Sequence, residues 1–317
     1  MIETPLKASI VITTRNRKEE LRIALQSAVR QTVVPEVIVI DDGSTEGTSE
    51  MVRTEFPQVR LIRHDESRGY VVRRNEGARL ATGEVVFSID DDAEFTSPHT
   101  VEQTLREFDD LRIGAVAIPY VEPNKDNQIL QRTPSPAGTW VTDSYIGTAH
   151  AVRRNLFLKL GGYREVLVHQ GEERDFCIRL LQAGRVVRLG RADVIHHYES
   201  PKRDRGRMDY YGRRNDVFFA WHNVSMPFLP LHLAGTTLNG ICAAWHSRRP
   251  VRMVQGILSG YAGCLRQWYT RSPVSPFVYR LHRRLRKSGP CALEEIQGQL
   301  PPLMREADLP AGAVESN

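Results

Sequence analysis

Three short runs with no charged residue, 8–13, 37–40 and 85–89, recur in the first ninety residues, and the second and third stop directly on aspartates. Strands that are apolar throughout, without alternation, are buried on both faces, and helical stretches between them mean a parallel sheet covered on both sides. Residues 18–31 place Leu21, Ala24, Leu25 and Ala28 at helical spacing, with Asn16 as the expected cap. A polar helix to about Phe56, a strand at 59–63 and a helix at 70–80 closed by Gly83 complete the alternation. The expected fold class is therefore α/β, a mostly parallel sheet flanked by helices. Beyond residue 112 the pattern loosens: a strand at 115–119, a long connection at 122–142, a short helix at 176–182 stopped by Gly184, and strands at 186–189 and 194–197. From about Met208 the chain becomes helical, aromatic and basic, and the tail after Pro290 is expected to fray.

In open α/β sheets ligands sit outside the carboxyl ends of the strands, where this sequence collects its polar residues. Thr13-Thr14-Arg15-Asn16-Arg17 follows the first run, Asp41-Asp42-Gly43-Ser44 the second, and Asp90-Asp91-Asp92 the third. A further acidic group, Glu172-Glu173 with Asp175, precedes the 176–182 helix. Neither GxxxxGK[ST] nor GxGxxG follows the first strand, so Walker-type and dinucleotide-binding loops are excluded. Asp41-Asp42-Gly43-Ser44 taken alone also reads as a strand-ending turn. Three consecutive aspartates repel one another, and a divalent cation, Mg²⁺ or Mn²⁺, removes that conflict. Of His196 and His197, adjacent on one strand, at most one can face such a site.

The ordered segments SIVITTRNRKEELRIALQSAVRQTVVPEVIVIDDGST, RGYVVRRNEGARLATGEVVFSIDDD, GGYREVLVHQGEERDFCIRLLQAGRVVRL and VIHHYESP carry a resemblance over roughly residues 8–200. They resemble family 2 glycosyltransferases with the GT-A fold, which are inverting enzymes using a nucleoside diphosphate sugar and a divalent metal. The resemblance implies that Thr13, Arg15 and Asp42 surround the nucleobase and ribose, and that Arg74, with Asn75 nearby, lies near the phosphates. Asp90 and Asp91 would approach ribose and metal, with Asp92 the principal metal ligand and His196 preferred over His197 as a further contact. Glu173 falls where the family's general base stands, usually an aspartate, with Glu172 as the alternate. Ser67 stands where an asparagine is common.

These implications divide the chain into a catalytic domain at 1–205 (a nucleotide-sugar half to about 112, then an acceptor half), a basic helical extension at 206–290 and a flexible tail at 291–317. Between Pro201 and Pro290 there are 16 Lys/Arg against Asp204, Asp209 and Asp216, a local balance of +13 in a chain of net charge +5. Such a region suits an anionic partner. With aromatics interleaved, it points to peripheral contact with an anionic membrane and a lipid-linked glycan acceptor, ordinary packing being the competing reading. Four scattered cysteines without metal spacing read as reduced thiols, and neither a signal peptide nor an apolar span is evident. The expected location is cytoplasmic, with attachment to the inner face of the plasma membrane open. Two other functions stay in view: sugar-1-phosphate nucleotidyl transfer, which lacks its Gly-rich loop here, and nucleic-acid binding, which the acidic strand ends oppose.

Overall fold

The computed structural model of the chain describes residues 6–198, 204–247 and 249–309. Its first half alternates as the sequence demands: β1 (Ala8–Thr14), α1 (Lys18–Ala28), β2 (Glu36–Asp42), α2 (Thr48–Glu55), β3 (Arg60–His64), α3 (Tyr70–Leu80) and β4 (Val85–Asp90). The strands need no polar face because both faces are covered. Ile10 and Ile12 of β1 and Val37 and Val39 of β2 pack into one core with Leu21, Leu25, Met51 and Val52 of α1 and α2. Val11, Ile38 and Ile40 point the other way, into a second core with Val71 and Ala78 of α3. A Cβ on Gly77 of α3 would lie 2.3 Å from a methyl of Val11, so α3 reaches the sheet only because that side chain is absent.

The second half is less regular. It runs β5 (Ala93–Phe95), α4 (Thr100–Leu105), β6 (Ile113–Ala117), β7 (Tyr120–Val121), β8 (Trp140–Thr142), β9 (His150–Arg153), α5 (Arg154–Lys159), α6 (Glu172–Gln182), β10 (Val186–Leu189) and β11 (Ile195–His197). Helices follow: α7 (Arg205–Asn223), α8 (Leu229–His246), α9 (Pro250–Arg266) and α10 (Pro276–Ser288), then β12 (Cys291–Ala292) and α11 (Leu293–Ile296). The main sheet has nine strands in the order β12-β8-β10-β6-β9-β4-β1-β2-β3, and β5-β11-β7 form a small second sheet. Strands β3, β2, β1 and β4 are parallel, as are β6 and β10, whereas β9 runs antiparallel between β4 and β6. This is a mixed α/β fold with a large central sheet, helices on both faces and a C-terminal helical region. Among the described residues no helix is long and apolar enough to cross a membrane, and all four cysteines are free.

Several local expectations need correction. Asn16 does not cap α1; Arg17 holds that position, while Asn16 takes a left-handed φ of 53° and its side-chain oxygen accepts from Thr45 N at 2.8 Å. Helix α3 spans Tyr70–Leu80 as expected but is capped at Ala81, and Gly83 serves a different constraint: a Cβ there would lie 2.6 Å from the β1 backbone. Helix α6 starts one turn earlier than expected, at Glu172, because Gly171 (φ 87°) turns the chain into it. The segment after Pro290 is not frayed up to Leu309. Its β12 adds to the edge of the main sheet through β8, and Leu293, Ile296 and Leu300 are buried; residues 310–317 lie outside the described residues.

Ile296 is fully buried, so Ile296→Ala is expected to cost about 2–4 kcal/mol by large-to-small truncation, measured by urea unfolding. A frayed segment would show no loss.

Candidate active site

Strand β4 delivers Asp90 to the carboxyl edge of the sheet, and the turn into β5 places Asp91 and Asp92 beside it. Two arginines meet this cluster. Arg17 Nη1 donates to Asp91 Oδ1 at 2.9 Å and to Asp92 Oδ2 at 2.7 Å, while Thr14 Oγ1 donates to Asp91 Oδ2 at 2.8 Å. Arg74 Nη2 donates to Asp90 Oδ1 at 2.5 Å. The repulsion expected among three aspartates is therefore met in part by the chain's own guanidinium groups, and repulsion alone no longer argues for a cation. Burial and the neighbouring Asp92 and Asp90 charges, against Arg17 and Thr14, push the Asp91 carboxyl up to about 7.

A metal is tested better by what remains unsatisfied. Asp92 Oδ1 is buried without a well-formed hydrogen bond, 3.4 Å from His197 Nε2. Asp90, Asp92 and His197 each offer a ligand atom, all within 4.8 Å of one another. The residues present fit a divalent cation: two hard carboxylates and one imidazole. The structure brings His197, not the preferred His196, to this cluster. In the β5–β11 ladder His197 pairs with Ala93, next to Asp92, and strand alternation turns His196 away toward Tyr198 and Glu94. On its far side His197 Nδ1 lies 3.4 Å from Glu122 Oε1. Glu122, in the long connection, was not picked out from the sequence; only the fold brings it near.

The Glu172-Glu173 pair opens α6, and the same Arg74 reaches it. Nη1 donates to Glu172 Oε1 at 3.3 Å and lies 3.9 Å from Glu173 Oε1, while the guanidinium stands 4.7 Å over the Tyr70 ring. The two glutamates are not equivalent: the Glu172 side chain is fully buried, whereas Glu173 keeps 19% exposure. Burial first, and then the Glu172 charge, raise the Glu173 carboxyl well above the usual range, with Arg74 opposing. Glycine at 147 lets its loop close over this point, because a Cβ there would lie 2.5 Å from Glu173 Oε1 and 2.7 Å from Arg74 Nη1. Behind the pair, Tyr145 stacks on His150 at 4.0 Å, and Tyr163 bonds both. Burial and Arg74 push His150 down to about 3, so this support is neutral.

Other sequence candidates occupy different settings. Asp42 is buried and accepts from Ser67 Oγ, Arg68 N, Gly69 N and Arg73 Nε at 2.6–2.9 Å. A carboxylate has about four acceptor sites, and here the protein fills them, so Asp42 shapes the 67–69 turn and has no acceptor left for a ligand. Ser67 spends its hydroxyl on the same turn. Thr13 is half-buried at the end of β1, Arg15 is exposed beside it, and Asn75 bonds the Tyr163 backbone. Asp175, grouped with the glutamates by sequence, lies deeper among Arg164, Arg179 and Asn223.

Comparison with known proteins agrees with this geometry. Residues 9–164 match glycosyl transferase family 2. The chain is 30% identical over 203 residues to an uncharacterized glycosyltransferase of Bacillus subtilis (strain 168), covering 61% of this chain and 75% of the relative. It is 27% identical over 219 residues to a glucosyl-dolichyl phosphate glucuronosyltransferase of Haloferax volcanii, covering 61% and 69%. Among solved structures it resembles a mannosyltransferase from Pyrobaculum calidifontis in complex with GDP-Man and Mn²⁺, with a TM-score of 0.58 at 22% identity over 84% of this chain and 76% of that one. Such likeness establishes the GT-A fold.

The Asp175 cluster yields a stability prediction. Burial would raise its carboxyl, but Arg164, Arg179 and the Asn223 amide outweigh it and hold it well below the usual carboxylate range. A depressed folded value means the stabilisation is present above the unfolded value of about 3.9 and is lost as pH falls below it. Asp175→Asn leaves two guanidinium groups without their anion and is expected to cost about 3–5 kcal/mol at pH 7. Urea unfolding at pH 7 and pH 3.5 should show the gap between the two proteins shrinking in acid.

Proposed function

Because this chain belongs to glycosyl transferase family 2 and is a glycosyltransferase, we propose that it moves a sugar, with inversion, from a nucleoside diphosphate sugar to a hydroxyl of a glycan acceptor. The observation that carries this reading is Arg74, one guanidinium touching both Asp90 at the β4 end and the Glu172-Glu173 pair on α6. It sets a candidate cation cluster and an outward-turned carboxylate on either side of one point.

In this reading Asp90, Asp92 and His197 hold the divalent ion, Mg²⁺ or Mn²⁺, and Glu122 orients the imidazole from behind. When bound, the ion supplies positive charge for the departing diphosphate. Thr13 and Arg15 face the nucleobase end, and Arg74 adds a fixed cation beside the phosphates. Asp42 acts indirectly, through the 67–69 turn, and Asp91 through Arg17 and Thr14. Glu173 takes the proton of the acceptor hydroxyl as its oxygen bonds the anomeric carbon. The bond from that carbon to the diphosphate oxygen breaks, and the nucleoside diphosphate leaves with the electron pair. A single base and a leaving group that needs no proton give one displacement, hence inversion. Glu172, fully buried, serves as the partner that keeps Glu173 basic.

The acceptor proposed is lipid-linked and destined for cell-surface polysaccharide, with the protein working from the cytoplasmic face. Support comes from the Haloferax volcanii relative, whose name places its substrate on a dolichyl phosphate, and from the basic C-terminal helices. Nucleotidyl transfer and nucleic-acid binding find no comparable support in the family match.

The test incubates the protein with Mn²⁺ and a panel of nucleotide sugars and measures released nucleoside diphosphate. Turnover is expected with one donor, lost in EDTA, abolished by Asp92→Asn, and reduced about 10²–10⁴-fold by Glu173→Gln with nucleotide affinity retained. Full activity of Glu173→Gln would remove the assigned base. A base works unprotonated, so the rate should rise with pH through the Glu173 value, which is held above the usual ~4.3. An acid limb at or below that usual value contradicts the assignment.

A further inference from the structure

Helices α8 and α9 present apolar side chains to solvent along lines that run the length of each helix. On α8 the outward positions are Leu231, Ala234, Leu238, Ile241 and Trp245, spaced three or four apart, with Leu231 72% and Trp245 83% exposed. On α9 they are Val251, Val254, Leu258, Ala262 and Leu265, again three or four apart, with Leu265 76% exposed. Residues three and four apart share one helix face, so each helix carries a continuous apolar stripe on the side that usually bears charge.

The inward faces explain why these residues are not core. Helix α9 lies against α7 through small residues. A Cβ on Gly256 would lie 2.2 Å from Tyr210 O, and one on Gly260 would lie 2.8 Å from Val217 Cβ. Helix α8 approaches α9 through Gly240, whose Cβ would meet Ile257 at 2.8 Å. Close backbone contact leaves no room for larger side chains on those faces, and much of the apolar bulk of the pair is outside. Helix α10 is built the opposite way. It buries Val278, Tyr279, Leu281, His282 and Leu285 and exposes Arg280, Arg283, Arg284, Arg286 and Lys287.

Charge selects what covers the stripes. Between Asp216 and Glu294 the sequence contains no acidic residue and ten Lys/Arg. On α9, Arg252 and Arg266 are exposed and flank the stripe along one edge. A second copy pairing through this same surface would meet it with like charge, whereas an anionic bilayer offers an apolar boundary beneath negative headgroups. We propose that the α8–α9 pair lies in the plane of an anionic membrane, its stripes at the acyl boundary and its arginines among the phosphates. This deepens the lipid-acceptor reading, on which its purpose rests, by naming the surface that meets the lipid. Helix α7 connects the two: its outer side carries α9, and its Asn215 holds the 167–170 turn that leads into Glu172.

The experiment floats the full chain with vesicles of phosphatidylcholine and phosphatidylglycerol, and with phosphatidylcholine alone. Binding to the anionic vesicles is expected to be at least tenfold tighter and to weaken in high salt. Leu238→Glu with Leu258→Glu should lower it at least tenfold while thermal unfolding and donor turnover stay as in the native protein. Should the pair disturb folding, Trp245→Gln alone replaces it, and a blue shift of tryptophan emission on vesicle addition that Trp245→Gln diminishes is the second measurement. Equal binding by variant and native protein, equal binding to both vesicle types, no binding, or a dimer in sedimentation that the substitutions dissolve would each overturn the proposal. Vesicle binding without turnover of any donor defeats the glycosyltransfer details and leaves the membrane surface standing.

Discussion

The arrangement of the site depends on one buried positive charge. Arg74 comes from the second turn of α3, is 7% exposed, and touches Asp90, Glu172 and the Tyr70 ring, with Glu173 within 4 Å. Burying a guanidinium costs several kcal/mol unless carboxylates surround it, and burying those carboxylates is equally unfavourable without it. The two conditions satisfy each other only when β4, α3 and α6 sit in one relative position. That requirement links the regular parallel half of the sheet to the irregular second half. It also explains the neutral aromatic support behind it: with Arg74 nearby, a buried His150 stays uncharged and bonds Tyr163 and the Ile146 carbonyl.

A second organising element is α7. On its inner side Asn215 Nδ2 shares its two hydrogens among three carbonyls of the turn before α6, and Asn223 reaches Asp175 within α6 itself. The carboxylate pair is thus held from the front by Arg74 and from behind by two asparagine amides. On its outer side α7 receives the glycine face of α9. A helix that carries both the α6 turn and the proposed lipid-facing pair fixes the distance between chemistry and surface, because no flexible linker intervenes.

How much of this the sequence disclosed depends on whether the governing contact is local. Helix α3 is legible to the residue, since its boundaries follow from spacing within one segment, and the acidic strand ends lie at the sheet edge where Asp90 and Asp92 meet His197. Strand β9, with only four residues and antiparallel between β4 and β6, carries no period of its own and was missed. The expectation of His196 fails because adjacent strand residues are symmetric until a ladder partner is known, and pairing of His197 with Ala93 breaks the tie. Asn16 has the chemistry of a cap, yet its partner is Thr45, twenty-nine residues away. The segment after Pro290 looks featureless because its stability comes from an edge pairing with β8.

Acidity alone does not separate these carboxylates, and their hydrogen-bond partners separate several of them. Asp42, Asp91 and Asp175 look as much like ligands in sequence as Asp92 does. Asp42 takes four donors, Asp91 takes Arg17 and Thr14, and Asp175 takes two arginines and an amide. Asp42 is filled in this way and builds the 67–69 turn, Asp175 ties α6 to α7, and Asp91 is held against β1 and Arg17 by two donors. Asp92 retains a buried oxygen without a well-formed bond, and Glu173 retains partial exposure in a recess that raises its basicity. Leaving such groups unsatisfied costs free energy in the folded state, a cost that a bound cation on Asp92 and an acceptor hydroxyl at Glu173 would both relieve. The arginines engage both kinds of carboxylate, Arg17 reaching Asp92 as well as Asp91 and Arg74 reaching Asp90 as well as Glu172, so on the proposed function the distinguishing features are the open Asp92 Oδ1 and the partial exposure of Glu173.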